Sequence, residues 1–519
     1  MFEINVLKGS SSIGGNKILL SFEGRNVLFD FGYDYSVDKQ YFDTFTKARQ
    51  NRGIHDHLAL DMLPRLSIYR SDIITKDCSE TCASFPKVDL DALFVSHAHM
   101  DHMGMAGYLD AKVPFIGTPM TLVLMKAIED TSEMIGTEVA YYGERSHDGD
   151  FLLKSKGSNI DYIGRPLIST SSSDGLDDFL DLSPTKRKIR RDKCGNLDDL
   201  DFGAKCFMVD HSIYGAAAFG VDTGDGWVVY TGDLRDHGMN GERTTQFAKE
   251  ASKIHPKVLI IEGTRTSRDE ELEDVTENDV ERRCLEECTD VDGLIVADFG
   301  PRNFERLETF KRIAEKVGRE LVITPKDAYF LDAMRSADGT ERLDDLRVLV
   351  PNKDLQHSTE LRMLGNIDAS KISPLDIKRD PDGHILCFSF YDLPHLLDIR
   401  PDRGLYIYSG SGSFDEEQDH DFERLDNWIR LLGMRKVGFE MGEREGRRGK
   451  RVKEPLFTPG FHASGHASKA ALKKMIDTIR PEYLLPVHTE NGSFFREEIS
   501  SVPRENIILP KDGHPIVFS

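Results

Sequence analysis

The chain has 519 residues, of which 39% are hydrophobic and 30% charged, with 67 basic against 89 acidic side chains and a net charge of −22. This length suits about three domains, and the composition excludes a disordered or fibrous protein. A chain this acidic repels polyanions at long range and is not a general polyanion binder. A phosphate substrate would therefore need a local binding site.

Hydrophobicity and cysteine content predict the cellular location of the protein. No run of about 18 apolar residues occurs, which predicts no transmembrane helix and no membrane partner. The opening MFEINVLKGS lacks the basic and apolar regions of a signal peptide. Seven cysteines, an odd number spread thinly, favour a reduced compartment. We therefore expect a cytoplasmic protein.

Short apolar runs in the first half predict strands, and polar residues follow several of them. A hairpin is expected at 17–22 and 26–31, a buried strand at 90–95, and a helix over 121–134. Further strands are expected at 207–209, 227–230 and 258–261. This alternation predicts an α/β architecture with its chemistry at the rim of a sheet.

A second α/β unit is expected from 267 to about 452, where amphipathic helices at 280–287 and 303–317 alternate with strand-like runs. Those runs lie at 294–297, 321–324 and 385–390. By contrast, residues 155–201 are rich in Ser, Asp and Lys. We interpret 155–201 as a surface insertion rather than a core element.

The most specific chemical pattern is SHAHMDH at 96–102, directly after a predicted buried strand. Neutral imidazoles and a carboxylate are ligands that a divalent metal such as zinc prefers. In an extended segment His97 and His99 point to one side and can share one ion. Asp101 and His102 lie just beyond, where the chain can turn and offer them to a second ion.

Three further residues raise the number of candidate ligands to seven. His211, Asp233 and His488 each follow a strand-like run. Two ions about 3.5–4 Å apart that share one carboxylate and one water require roughly that many ligands. The seven residues together therefore predict a two-metal centre where several strands end.

These motifs, in this order, resemble those of a known superfamily. One set of motifs resembles the metallo-β-lactamase superfamily: Asp30, His97-x-His99-x-Asp101-His102, His211 and Asp233. A second set resembles the β-CASP nucleases: Glu262, a long α/β insert, His462-Ala-Ser-Gly-His466 and His488-Thr-Glu. Among these the chain is most similar to the ribonuclease J family and to the archaeal and eukaryotic RNA 3′-end processing endonucleases.

The resemblance implies a role for each motif residue. The first zinc ion would be held by His97, His99 and His211. The second would be held by Asp101, His102 and His488, with Asp233 bridging the two. His466 would donate a proton to the leaving oxygen and be oriented by Glu262. Ser464, Gly465 and His466 would form a phosphate-binding turn, and Asp30 would orient a ligand from behind.

The resemblance also implies the architecture: a metallo-β-lactamase αββα sandwich with an inserted α/β β-CASP domain. The sandwich would comprise residues 1–265 and 454–519, and the insert residues 266–453. The implied activity is a two-zinc phosphodiesterase acting on RNA, a ribonuclease J-like exo- and/or endoribonuclease. Metal-activated hydroxide would attack, with a histidine as general acid. Mn²⁺ or Mg²⁺ is an alternative to Zn²⁺.

The chemistry of the residues agrees with that activity. A phosphodiester is anionic, so hydroxide attack needs charge neutralisation and a nucleophile available near neutral pH, and two metals supply both. The leaving sugar oxygen needs a proton. A histidine held by a carboxylate suits that task because its pKa lies near the working pH.

Several other patterns have a simpler interpretation. His462 and His466 are spaced like a metal pair on a helix, but the intervening Ser-Gly favours a loop. His55-Asp56-His57 lacks a following Asp-His and is expected to be structural. The glycine-rich stretch at 9–16 predicts a turn near the site rim, and Cys78-x3-Cys82 and Cys284-x3-Cys288 predict ordinary thiols.

Two basic clusters interrupt the acidic background. The cluster at 186–191 is expected to be a solvated surface run. The cluster from Arg435 to Lys453 contains Arg444, Arg447, Arg448, Lys450, Arg451 and Lys453. Its closeness in sequence to the phosphate motif leaves two interpretations open, a solvated surface or the lining of a substrate channel.

Alternative functions separate by sequence features. A β-CASP DNA nuclease of the Artemis type typically has an apolar residue in place of the last metal histidine, whereas His488 is present here. Small-molecule hydrolases such as glyoxalases lack the large insert. A scaffold subunit of an RNA-processing complex would have lost ligands. The expected partner is RNA, with a homodimer or a processing complex left open.

Overall fold

Three large β-sheets, of eight, seven and five strands, organise the computed structural model of the chain. The structure describes residues 1–43, 45–267, 275–350, 365, 367–410, 416–445 and 451–519, without the side chains of 416–421, 444, 445 and 452. Among these residues, no helix combines the length and the apolar character that crossing a membrane requires.

The first half of the chain alternates strands with short helices. Its elements are β1 (Phe2–Lys8), β2 (Lys17–Phe22), β3 (Arg25–Phe31), α1 (Tyr35–Tyr41), α2 (His55–Ala59), α3 (Lys76–Ala83), β4 (Ala92–Phe94), α4 (Met100–Met103), β5 (Phe115–Gly117), α5 (Pro119–Asp130), β6 (Tyr141–Tyr142), β7 (Arg145–Asp148), β8 (Leu152–Ser155), β9 (Tyr162–Gly164), β10 (Leu167–Ser169), α6 (Leu176–Asp181), β11 (Ile189–Arg190), β12 (Gly195–Asn196), β13 (Ala204–Met208), β14 (Ala217–Asp222), β15 (Trp227–Tyr230), α7 (Gly241–Lys253) and β16 (Val258–Glu262).

The second half forms an α/β unit and then a short return to the first sheets. The α/β unit contains α8 (Glu277–Cys288), β17 (Leu294–Asp298), α9 (Phe304–Val317), β18 (Glu320–Ile323), α10 (Pro325–Asp338), β19 (Leu346–Leu349), β20 (Ser370–Ile372), α11 (Pro374–Arg379), β21 (His384–Phe388), α12 (Leu396–Ile399), β22 (Gly404–Tyr408), α13 (Glu416–Leu431), β23 (Arg435–Val437), β24 (Phe439–Glu445) and β25 (Arg451–Phe457). The return consists of α14 (Lys469–Ile479), β26 (Tyr483–Val487), α15 (Ser493–Glu498) and β27 (Ile516–Phe518).

Two sheets face each other across one apolar core. The eight-stranded sheet has the order β12-β10-β5-β4-β3-β2-β1-β27, and the five-stranded sheet has the order β13-β14-β15-β16-β26. Phe29 from the first and Phe219 and Ile260 from the second belong to the same buried cluster. Strands with alternating apolar residues bury one face each, so two such sheets pack together.

Helices cover the outer face of each sheet. Phe247 of α7 and Leu472 of α14 pack with Leu259 on the five-stranded sheet. Leu122 of α5 shares a second cluster with Leu93 of the eight-stranded sheet. The layers therefore follow the order helix, sheet, sheet, helix, which confirms the predicted αββα sandwich.

A seven-stranded sheet, all of whose strands are parallel, is inserted into the sandwich, with the order β20-β19-β18-β21-β17-β22-β23. The chain leaves the five-stranded sheet at β16 and returns as β26, which pairs with β16 in parallel so that Glu262 lies opposite Val487. This confirms the predicted α/β insert. The boundaries at 265/266 and 453/454 stay predictions.

The interpretation of 155–201 as a surface insertion is wrong for part of this segment. β10 and β12 extend the eight-stranded sheet beyond β5. Leu167 and Phe179 are buried in the core. The segment is polar overall because its strands are short and lie at the sheet edge, and its few apolar residues are the ones that pack inward.

Asp298 at the end of β17 is a buried carboxyl in the inserted sheet, 4% exposed. Its Oδ2 accepts a hydrogen bond from Tyr406 Oη at 2.5 Å. Burial raises the pKa of Asp298 from 3.8 to about 7, which outweighs the opposing effect of that hydrogen bond. Because the charged form is disfavoured in the folded protein, Asp298 costs stability as the pH rises from about 4 to 7.

Asp298→Asn should therefore raise the unfolding temperature more at pH 8 than at pH 5. The stabilisation at pH 8 should be on the order of 1–4 kcal/mol, since each pKa unit is worth about 1.4 kcal/mol. Thermal unfolding followed at both pH values, with the exposed Asp402 changed to Asn as the control, tests this. An equal effect of Asp298→Asn at the two pH values would contradict it.

Candidate metal centre and active site

The predicted ligands lie where strands of the two facing sheets end. SHAHMDH follows β4, and the last three residues of that motif lie in the short helix α4, which His99 precedes. Asp233 follows β15, and His488 directly follows β26. Asp30 and His488 have left-handed backbone conformations, with φ of 55° and 51°. Such conformations cost on the order of 1–3 kcal/mol in residues other than glycine, and they cluster at functional sites.

Three histidines form the first group of candidate ligands. His99 Nδ1 lies 3.1 Å from His97 Nε2 and also 3.1 Å from His211 Nε2. One ligand atom from each residue lies within 4.8 Å of the others. Three imidazole nitrogens that converge in this way match the geometry of a zinc site with an open position.

Two carboxylates and two histidines form the second group: Asp101, His102, Asp233 and His488. His102 Nε2 lies 3.0 Å from Asp233 Oδ2 and 3.7 Å from Asp101 Oδ2. His488 Nδ1 lies 2.9 Å from Asp233 Oδ1, and its Nε2 lies 3.8 Å from Asp101 Oδ2.

Asp233 lies between the two groups. Its Oδ2 is 3.9 Å from both His97 Nε2 and His211 Nε2, in addition to the contact with His102. The structure therefore brings all seven predicted ligands together, and it places Asp233 where a carboxylate could contact two ions.

The second group contains buried polar atoms that lie close to other candidate ligands but make no hydrogen bond of acceptable geometry. They are His102 Nε2, Asp233 Oδ1 and His488 Nε2. Leaving such atoms unpaired costs about 1–3 kcal/mol each. A divalent ion would satisfy all three, and the nitrogen and oxygen donors of both groups suit zinc, with manganese also compatible. The residues present therefore fit two divalent ions.

Burial prepares the first group for a cation. It holds the pKa of His97 and of His99 well below the usual value, with the neighbouring imidazoles adding to the effect. It lowers the pKa of His211 to about 3, against the opposing effect of Asp233. All three histidines are thus neutral near pH 7, which is the form that binds a metal.

Carboxylates dominate the electrostatics of the second group. Burial alone would lower the pKa of His102, but Asp233, Asp101 and Asp30 together hold it well above the usual value. Burial would likewise raise the pKa of Asp233, yet the nearby histidines hold it well below the usual range. Asp233 is therefore ionised and available to a cation.

Asp30 anchors a hydrogen-bond network behind the second group. Asp30 Oδ2 accepts hydrogen bonds from His102 Nδ1, Ser96 Oγ and Tyr230 Oη, each at 2.7 Å. The backbone N–H of Ser96 donates to Asp30 Oδ1. Asp30 thus fixes the orientation of the His102 ring, with Nδ1 as its donor and Nε2 directed at Asp233. A metal bound there would take the place of the Nε2 proton.

Sequence reasoning missed two members of this network, Asn16 and Tyr230. Asn16 Nδ2 donates to Tyr230 Oη at 3.2 Å and lies 3.3 Å from His488 Nδ1. The sequence pattern predicts only a strand at Tyr230 and only a glycine-rich turn at Asn16. A polar side chain at the inward end of an otherwise apolar strand was the one available indication for Tyr230.

The glycine-rich turn lies against the site, as predicted. Gly9 O accepts a hydrogen bond from the backbone N–H of His488 at 2.8 Å, and Gly15 N donates to Asp101 O. A Cβ on Gly14 would lie 3.0 Å from Asp101 Cβ. With a φ of 83°, Gly14 is a position that only glycine occupies without strain.

His466 and Glu262 form an ion pair beside the metal groups. His466 Nδ1 is 3.2 Å from both carboxylate oxygens of Glu262 and 3.8 Å from Asp233 Oδ2. Glu262 also accepts hydrogen bonds from the backbone of Leu234 and Thr264. Burial alone would lower the pKa of His466 and raise that of Glu262. Glu262 and Asp233 nevertheless raise the pKa of His466, and His466 in turn lowers the pKa of Glu262.

The turn at 462–466 is held mainly through its backbone. His462 uses both ring nitrogens on the carbonyls of Gly410 and Gly438, at 3.0 and 2.7 Å, which leaves neither for a metal. Gly465 O lies 2.5 Å from His211 Nδ1 and so orients that histidine. Ser464 Oγ accepts from the backbone N–H of His466 at 3.2 Å. These contacts do not test the predicted phosphate-binding role of Ser464, Gly465 and His466.

A buried ion network that the sequence did not suggest supports this turn. Arg235 donates to Glu277 and to Ser464 O, each at 3.1 Å, and pairs with Glu305. Arg306 donates to both oxygens of Glu277 at 3.0 Å. Arg235 belongs to the sandwich, whereas the other three charged residues belong to the inserted unit. The network therefore joins the two units directly behind the turn.

The basic cluster at 186–191 is engaged locally. The Arg187 guanidinium lies 3.7 Å from the centre of the Tyr162 ring, and Arg190 pairs with Asp161. Within 435–453, Arg435 pairs with Glu287, Arg451 with Glu443 and Lys453 with Glu423. Arg447, Arg448 and Lys450 lie outside the described residues, as does the side chain of Arg444, so the choice between a solvated surface and a channel lining stays open.

Comparisons with known proteins find a zinc-dependent metallo-hydrolase family and ribonucleases among the similar proteins. Residues 461–510 match the family described as "Zn-dependent metallo-hydrolase RNA specificity domain". The chain is 22% identical to a ribonuclease J of Pyrococcus abyssi over 99% of this chain and 97% of that protein. It is 26% identical to cleavage and polyadenylation specificity factor subunit 3 of Dictyostelium discoideum, over 51% of this chain and 26% of that protein.

A solved structure extends the likeness to the whole fold. A protein of unknown function from Enterococcus faecalis V583 superposes with a TM-score of 0.67 at 21% identity, covering 100% of both chains. The matched family region contains the 462–466 turn and His488, and the sandwich and its insert are those expected from the motifs. Together these similarities support a metallo-β-lactamase/β-CASP, ribonuclease J-like family for the chain.

Proposed function

We propose that the protein is a metal-dependent ribonuclease that hydrolyses RNA phosphodiester bonds with two divalent ions, preferentially zinc. The observation that carries the proposal is the convergence of seven donor residues in two groups around the buried Asp233. The similar proteins named ribonuclease J support RNA as the substrate. The match to a family described as an RNA specificity domain, over 461–510, supports it further.

The proposed ligands divide between the two ions. His97, His99 and His211 would hold one ion, and Asp101, His102 and His488 would hold the other. Asp233, which lies between the groups, would serve both. When bound, the ions would supply neutralisation of phosphate charge and a lowered pKa for an attacking water molecule.

His466 supplies the proton that the leaving oxygen requires. Glu262 faces Nδ1 and stabilises the protonated ring, which leaves Nε2 to donate. At 22% side-chain exposure, His466 can exchange protons with solvent between turnovers. Burial of Glu262 keeps that carboxylate from binding water instead of the imidazole.

Two alternatives remain distinguishable from this proposal. A DNA nuclease of the Artemis type would cleave DNA in preference to RNA, and the presence of His488 in the second group argues against it. A scaffold subunit of an RNA-processing complex would lack ligands, whereas all seven candidates are in place.

The first test concerns the network behind the second group. Asp30→Ala should lower the affinity for zinc about 10- to 100-fold, because His102 would lose the acceptor that fixes its tautomer. Zinc titration against a chromogenic chelator, with Asp148→Ala on an exposed hairpin as the control, measures this. Unchanged zinc affinity in Asp30→Ala would show that the network does not prepare the ligand.

The second test separates RNA from DNA. Purified protein loaded with zinc should cleave RNA faster than DNA of the same sequence when the two compete in equal amounts. End-labelled RNAs with 5′-triphosphate, 5′-monophosphate or 5′-hydroxyl ends would reveal the cut position and any end preference in the same assay. A clear preference for DNA would contradict the ribonuclease proposal and favour a DNA nuclease of the Artemis type.

The third test distinguishes the proton donor from the bridging ligand. His466→Ala should retain both ions and bind RNA but cleave about 10²–10⁴-fold more slowly, as expected for loss of a general acid. Asp233→Ala should lose metal as well as activity, because one carboxylate serves both ions.

Elemental analysis beside single-turnover kinetics measures both variants, with His147→Ala as a surface control. If His466→Ala lost metal while Asp233→Ala retained it, the two roles would have to be exchanged. Absence of bound metal from the unaltered protein, even after reconstitution, would exclude the two-ion mechanism.

A further inference from the structure

A second set of metal-binding side chains lies outside the catalytic groups. His55 begins α2, and Asp77 and Cys78 lie in the first turn of α3. One ligand atom from each of these three residues lies within 4.8 Å of the other two. His55 and Cys78 are half-buried and Asp77 is exposed, so the cluster is open to solvent.

The His55 ring is oriented as a metal-ligating histidine usually is. Its Nδ1 lies 2.8 Å from Asp56 Oδ1, which directs the other ring nitrogen, Nε2, away from Asp56. Asp56 is itself fixed by Arg49, which donates to its two oxygens at 2.7 and 2.9 Å. A carboxylate on the far nitrogen fixes the tautomer in which Nε2 keeps a free lone pair.

Asp77 retains capacity for a cation although Arg52 binds it. Arg52, which is buried, donates to the two oxygens of Asp77 at 3.3 and 2.6 Å. An ionised carboxylate has about four lone-pair positions, so the two Arg52 hydrogen bonds do not use all of them. Arg52 thus holds the carboxylate in place and need not displace a metal.

The Arg52–Asp77 pair alone does not explain the cluster, because neither member of that pair requires a histidine and a thiol beside it. Nitrogen, oxygen and sulfur donors together suit zinc and other borderline-soft ions, whereas Mg²⁺ and Ca²⁺ prefer oxygen alone. We propose that His55, Asp77 and Cys78 bind one zinc ion that is separate from the catalytic ions and joins α2 to α3.

Sulfur makes this site spectroscopically distinct. Neither catalytic group contains a cysteine, so a thiolate-to-cobalt charge-transfer absorption can come only from a different site. Titration of the metal-free full-length protein with Co²⁺ should produce that absorption, and Cys78→Ser should abolish it. Cys82→Ala, one helical turn away on α3, should retain it.

The other ligands are tested in the same titration. His55→Gln should weaken Co²⁺ binding, followed by the charge-transfer band, at least 10-fold, and Asp77→Asn should weaken it as well. His147→Gln, whose Nε2 faces the carbonyl of Ile74, is the matched control and should leave the band unchanged. Circular dichroism of each variant establishes that it is folded.

Protection from alkylation gives an independent measurement. Zinc should slow the reaction of Cys78 with iodoacetamide at least 10-fold, as measured by mass spectrometry of the peptide that contains it, and it should not protect Cys78 in His55→Gln. RNA cleavage by zinc-loaded Cys78→Ser should match that of the unaltered protein, so the result is independent of the catalytic proposal.

Two outcomes would overturn the zinc site. One is a charge-transfer band that persists in Cys78→Ser, which would assign the thiolate to another cysteine. The other is cobalt bound by the unaltered protein with no such band, which would restrict its metals to nitrogen and oxygen sites.

Discussion

The carboxylate of Asp233, 2% exposed, is the charge around which the site is built. Moving an isolated carboxylate out of water costs several kcal/mol, so it persists ionised only where positive charge or donors surround it. His102 and His488 lie within 3.0 Å of its oxygens, and the three-histidine group lies just beyond. Asp233 therefore couples the two groups, and each strand that delivers a histidine to it has to end at the same place.

The ligands can meet at Asp233 only if the inserted unit packs correctly against the sandwich. Because β26 returns alongside β16, Glu262 and His488 lie at the same edge of the five-stranded sheet although more than 200 residues separate them in sequence. Arg235, Glu277 and Arg306 then join the two units by buried ion pairs. Removing one member would leave an uncompensated buried charge, at a cost of about 3–5 kcal/mol. The position of the 462–466 turn thus depends on the contact between the units.

The candidate metal ligands and the αββα layers could be predicted from the sequence, but the residues that hold the ligands in place could not. The motif SHAHMDH after a buried strand predicts metal ligands from local sequence alone. The order of the motifs along the chain implied the fold through its resemblance to a known superfamily. Tyr230 and Asn16 are instead defined by contacts between residues 200 or more positions apart in sequence, and no local pattern reports such contacts. The segment 155–201 was misjudged for a related reason, since a two- or three-residue strand that joins a sheet edge has too few positions to show periodicity.

The same pairing of a carboxylate with a histidine occurs twice in this site, with different consequences. Asp30 faces His102, whose side chain is 0% exposed, and the other ring nitrogen of His102 is directed at Asp233. Glu262 faces His466, whose side chain is 22% exposed at the edge of the metal groups. A fully enclosed imidazole cannot exchange a proton with solvent during turnover, which suits a ligand of fixed tautomer. A partly open imidazole with a buried carboxylate behind it can be reprotonated after each cycle. Solvent access, more than the identity of the pair, thus separates the proposed ligand from the proposed proton donor.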